Sequence, residues 1–161
     1  MKSFKSFLVE GKLGDCFEVA GRAMLDLHVQ HLHNPDDVNM EKEGLKLIHA
    51  LVYGEGELEG RRFSHAFNQL GDYIFDNSNG NKIMMRKENY FKQGGIKPKE
   101  KGSYIEYNMK ESMLKMGKHH HWGPWDLNQA LEEEIPDEKK EIGNKKMKIS
   151  SKELKIIKNK E

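Results

Sequence analysis

The chain holds a single cysteine, Cys16, placed directly after Asp15 and at the head of an apolar pattern with helical spacing. Cys16, Ala20, Ala23, Met24 and Leu27 recur as one helix face would require. Asp15 is a good N-cap, so Cys16 belongs in the first turn, where unpaired backbone N–H groups and the helix dipole favour the reactive thiolate. A cysteine nucleophile also needs an imidazole within hydrogen-bond reach and a third group that fixes the ring. His65 sits in a stretch that alternates like a strand, and Asp76 ends the next such stretch, 11 positions later across a Gly71-Asp72 turn. A hairpin of that length can bring the two side by side on one face. Each residue also has a plainer reading. Cys16 can be a small buried hydrophobe, His65 a half-buried strand histidine, and Asp76 the cap of the Asn77-Ser78-Asn79-Gly80 turn.

Those three residues require a helix followed by paired strands, and the patterning supplies both. A helix is expected from Cys16 to about Leu27, then a polar loop from His28 to Gly44. The period then changes from 3.6 toward 2. Leu45–Tyr53 reads as a central strand, and Arg62–Leu70 as a second with Phe63, His65 and Phe67 on one face. Tyr73–Asp76 and Lys82–Met85 follow as shorter strands, separated by a strong turn signal. A short helix near Lys87–Gln93, a late strand at Ser103–Tyr107, and a capping box at Asn108–Glu111 opening a helix that stops at Gly117 complete the ordered part. The order predicts an α+β domain over residues 1–130, with an N-terminal nucleophile helix packed on a mainly antiparallel sheet. Residues 131–161 are rich in Glu and Lys and read as a charged, mobile tail. Within it, Ser150-Ser151-Lys152-Glu153 is a cap for a short terminal helix with a thin apolar stripe.

Three short motifs carry a resemblance. Gly14-Asp15-Cys16-Phe17-Glu18-Val19-Ala20 resembles the nucleophile helix of the transglutaminase-like, papain-like cysteine hydrolase superfamily. Ser64-His65-Ala66-Phe67 resembles its His-Ala-Trp strand, with Phe67 in place of Trp, and Asp76-Asn77-Ser78 resembles its Asp-Pro-Thr strand end. The likeness spans roughly Leu13 to Gly80. It implies a papain-like core with Cys16 as nucleophile, His65 as general base and acid, and Asp76 as the group orienting the imidazole. The implied reaction is attack on an amide or peptide bond through a thioester, completed by water or an amine. The implied partner is a protein, peptide or amide substrate. The opening Met1-Lys2-Ser3-Phe4-Lys5-Ser6-Phe7-Leu8 also resembles the starts of small proteins of tailed bacteriophages.

Composition excludes several classes. The formal net charge of +1 offers no bulk attraction to nucleic acid or an anionic membrane. One cysteine permits no internal disulfide, the first residues lack a secretory apolar run, and no segment approaches a membrane span. A cytoplasmic protein is expected, in the host cytoplasm if phage-encoded. Nothing calls for an organic cofactor. His119-His120-His121 and His28-x-x-His31-x-His33 lack a zinc signature, so no metal is expected. Trp122 and Trp125, around Gly123-Pro124, would either plug the core or wall a substrate-binding cleft. The alternative to an enzyme is a catalytically silent protein-binding module on the same fold, using those tryptophans and the Gly54–Gly60 turn.

Overall fold

The fold is given by a computed structural model that describes residues 15–33, 44–54, 59–80, 82–132 and 149–158. Its elements run α1 (Cys16–His33), β1 (Lys46–Tyr53), β2 (Arg62–Leu70), β3 (Tyr73–Asp76), β4 (Ile83–Arg86), α2 (Lys87–Gly94), β5 (Tyr104–Tyr107), α3 (Met109–His119) and α4 (Ser151–Lys158). The strands form one antiparallel sheet in the order β4-β3-β2-β1-β5. The α+β class read from the sequence is therefore the class the chain adopts.

The near-continuous apolar run in β1 has a simple cause: helices cover both faces of the sheet. On one face, α1, α3 and α4 pack Phe17, Met24, Met113, Met116 and Ile157 against Leu47, Ala66 and Tyr107. On the other, Ile48, Ala50, Phe67 and Ile74 pack with Tyr90 of α2. Fully burying each large aliphatic or aromatic side chain contributes about 1.5–3 kcal/mol, so both layers stabilise the sheet. Where Trp122 crosses α1, the helix carries Gly21, whose place any Cβ would take only 2.6 Å from Trp122 Cε3. Glycine costs a helix interior about 1 kcal/mol relative to alanine, and here that cost admits the indole.

Three elements differ from the sequence-based expectation. α1 does not stop near Leu27; it continues through His28 to His33, because the first helix-breaking pair in the sequence is Asn34-Pro35. α3 passes Gly117 and ends at His120, which adopts the left-handed conformation (φ 58°) and closes on the Met116 carbonyl. Its expected capping box at Asn108 and Glu111 is present. Residues 149–158, assigned by composition to a mobile tail, instead return to the core. Ile149 and Ile157 are buried, Ser150 and Glu153 cap α4, and Glu153 pairs with Arg22 of α1.

Candidate active site

The start of α1 places Cys16. The Asp15 carbonyl accepts the Val19 N–H at 2.9 Å, so Cys16 is the first helical residue and its own N–H has no helical acceptor. Phe17 and Ala20 bury the same helix in the core, which fixes the direction in which it presents the thiol.

The sheet places the other two residues. β2 is nine residues long, but its ladder with β3 covers only Asn68↔Phe75, Gln69↔Ile74 and Leu70↔Tyr73. Extending that register by one step sets Asp76 beside Phe67, diagonal to His65 and on the same face. Beyond it the chain turns away into the 3-10 turn Ser78–Gly80. The departure leaves a notch at the edge of β2. There Cys16, arriving from one face of the sheet, meets His65 and Asp76 from the other. Cys16, Val19, Phe67, Asn68, Asp76 and Asn77 line this crevice, which is too narrow to hold a water-sized sphere.

His65 Nε2 lies 2.8 Å from Asp76 Oδ2, and both side chains are almost wholly buried. That pairing leaves Nδ1 as the ring nitrogen for Cys16, which is within hydrogen-bonding reach of the imidazole. The Asp76 carboxylate is fully engaged. Its Oδ2 also accepts the Tyr90 hydroxyl at 2.7 Å, and its Oδ1 accepts both the Ser78 hydroxyl (2.7 Å) and the Ser78 N–H (3.1 Å). The turn-capping and ring-orienting readings of Asp76 therefore hold together, one on each oxygen.

The electrostatics follow from this packing. Burial by itself would lower the His65 pKa, but the charges and hydrogen bonds of Asp76 and Cys16 outweigh it and raise it from 6.5 to about 10. Burial likewise opposes ionisation of Asp76, yet His65, Tyr90 and Ser78 hold its carboxyl below the ordinary 3.8. Burial and the neighbouring carboxylate push the Tyr90 hydroxyl well above 10, so it remains a neutral donor. The imidazole thus lies between a carboxylate and a sulfur, and both neighbours favour its protonated form.

The structure thus brings Cys16, His65 and Asp76 together. Tyr90 and Ser78 were not read from the sequence. Ser78 had a signal, since aspartate commonly bonds the backbone two residues on. Tyr90 had none, because only the packing of α2 on the sheet brings it near. Trp122 and Trp125 are not brought to the triad. Trp122 is wholly buried against Gly21, with Arg22 5.0 Å above its ring, and cannot wall a cleft. Trp125 packs on His49 and Tyr107, on the opposite face from His65, and donates its Nε1–H to the His121 carbonyl.

The remaining histidines also find places. Along β1, Ala50 pairs with His65, so His49 faces the other way, among Phe17, Tyr107 and Trp125. Burial lowers its pKa to about 3, outweighing the opposing charge of Asp126, so it stays neutral. In the 119–121 run, His120 closes α3 and His121 Nδ1 accepts the Gly123 N–H. The side chains of His31 and His33 lie outside the described residues, as does most of the Gly54–Gly60 turn. Among the described residues, no group of three or more His, Cys, Asp or Glu side chains forms a metal-binding cluster, and no helix is long and apolar enough to cross a membrane.

Comparison with known proteins finds no matching family model, no matching curated protein and no matching solved structure.

Proposed function

We propose that the chain is a cysteine-dependent hydrolase or acyltransferase acting on an amide or peptide bond, with Cys16, His65 and Asp76 as its triad on a papain-like, transglutaminase-like core. The observation that carries the reading is the buried 2.8 Å His65–Asp76 pair set against a cysteine at a helix N-terminus. In the first half-reaction, Cys16 Sγ attacks the carbonyl carbon and forms a C–S bond. The His65 imidazolium delivers its proton to the departing amine nitrogen as the C–N bond breaks, leaving a thioester. Water or a second amine then attacks the thioester, His65 accepts its proton, and the thiolate leaves. On this reading the Cys16 N–H, without a helical acceptor, is the donor that binds the developing oxyanion.

The tightness of the crevice around Cys16 favours a second reading, a catalytically silent protein-binding module with the same triad as a structural relic. Alkylation of Cys16 by iodoacetamide near pH 7, in the wild type and in His65→Ala, separates the two. An enzyme predicts a rate at least about tenfold higher in the wild type, since the partnered imidazole maintains the reactive sulfur. A thiol indifferent to His65 leaves the binding module. The bacteriophage and host-cytoplasm readings stay with the enzyme proposal: a protein or peptide substrate would be a host or virion protein.

A further inference from the structure

We propose that the cavity flanking α1 seats a bulky, uncharged side chain of the acyl donor, so that the substrate is an amide or peptide bearing a leucine- or phenylalanine-sized apolar group. The inference rests on the cysteine-nucleophile reading above and specifies the substrate of that site. The cavity measures about 210 Å³. An apolar cavity of about 150 Å³ is enough for a benzene ring, so this one admits a branched aliphatic or aromatic side chain.

Its position relates it to the chemistry. Asn68, Phe75 and Asn77 border both this cavity and the crevice that holds Cys16. Along α1, Ala20 borders the crevice and Ala23, one turn further on, borders the cavity. The cavity and the crevice thus share a wall, and an acyl group attached to Cys16 reaches the cavity by parting that wall, because the crevice itself is too narrow for a water-sized sphere. Ala23, Leu27, Leu45, Leu70 and Phe75 form the apolar wall, and among the described residues no charged side chain lines it. A charged side chain would leave its head at the open mouth and gain less from this wall than an apolar one of the same size, so Lys, Arg, Asp and Glu are disfavoured. Asn77 is solvent-exposed and Ala23, Leu27, Leu70 and Phe75 are half-buried, so the cavity opens to the surface and can be filled from outside.

The test uses chloromethyl ketones, which alkylate a cysteine with loss of chloride and carry their side chain on the acyl side. N-acetyl-glycine, N-acetyl-leucine and N-acetyl-lysine chloromethyl ketones are compared on the full chain by mass spectrometry, with iodoacetamide as a reagent that has no side chain. The expected result is a leucine-to-glycine rate ratio of at least about 10, the discrimination an apolar pocket gives. The lysine probe should react no faster than the glycine probe. Ala23→Phe, which fills the cavity, should bring the leucine-to-glycine ratio toward 1. Leu27→Trp serves the same purpose from the next turn of α1, should Ala23→Phe fail to fold. Equal leucine and glycine rates, a preference for lysine, or a ratio unmoved by filling the cavity would overturn the proposal. In those cases a His65-dependent iodoacetamide reaction still leaves the triad standing. Absence of that reaction instead removes the triad, and this substrate assignment with it.

Discussion

Tyr90 donates its hydroxyl to Asp76 Oδ2, the same carboxylate oxygen that pairs with His65, at 2.7 Å against 2.8 Å. The two donors approach from different elements, α2 and β2, so the carboxylate joins the helix to the sheet as well as holding the ring. Tyr90→Phe keeps the ring packed on Phe67, 4.7 Å away, and removes only the donor. A hydrogen bond to a charged group contributes about 1.5–3 kcal/mol, and urea unfolding should show a loss of that size. With one donor fewer, the carboxyl should also hold its proton to higher pH, moving the acid limb of the pH–rate profile upward. A stability loss with an unmoved profile would make Tyr90 purely structural.

Asp76→Asn preserves shape and removes the charge that keeps His65 protonated. Burial then dominates, and the imidazole should titrate below its wild-type value of about 10 in an NMR titration. Turnover, or the His65-dependent alkylation rate, should fall about 10²- to 10⁴-fold, as expected when the residue orienting a catalytic histidine is neutralised. A His65 titration that stays in place would contradict the charge assignment.

The same pair makes stability depend on pH in a defined direction. His65 has its pKa raised on folding, so its contribution is full below pH 6.5 and is lost as pH rises toward about 10. Asp76 has its pKa lowered, so its contribution is present above pH 3.8 and is lost as pH falls below that value. The difference in Tm between wild type and His65→Ala should therefore be largest between those two limits and shrink on the alkaline side. A difference that grows from pH 7 to 10 would reverse the assignment.

Gly21→Ala is ordinarily a stabilising helix substitution, by about 1 kcal/mol. Here the added methyl meets Trp122 Cε3 at 2.6 Å in a packed layer. Overpacking costs about 1–3 kcal/mol, so the variant should melt lower than the wild type. An increase in Tm would mean that the indole yields freely.

Ile157→Ala tests the return of the C-terminal helix. Ile157 is 2% exposed and belongs to the core that α1 shares. Truncating such a residue costs about 2–5 kcal/mol, readable in urea unfolding. A neutral outcome would restore the solvated-tail reading of this segment.

The sequence by itself determined most of the local elements and which three residues, Cys16, His65 and Asp76, would meet, because those depend on short-range signals. The apolar run of β1, the alternation in β2, the Gly71-Asp72 turn and the Asp15-Cys16 helix start lie within a few residues of what they specify. The hairpin between β2 and β3 even sets His65 and Asp76 on one face, since register follows from the turn. Composition misled at the C-terminus: Leu154, Ile156 and Ile157 make a short apolar stripe among Lys and Glu, and only packing against the core that α1 and α3 share shows its worth. Tertiary structure alone decided that β3 departs from β2 at Asp76, opening the notch in which Cys16 meets the ring. It also decided that Tyr90 completes the carboxylate, that Trp122 and Trp125 stand away from the triad, and that a cavity adjoins the crevice. Each of these is a meeting of segments far apart in the chain, and no local pattern encodes which distant surfaces will share a face.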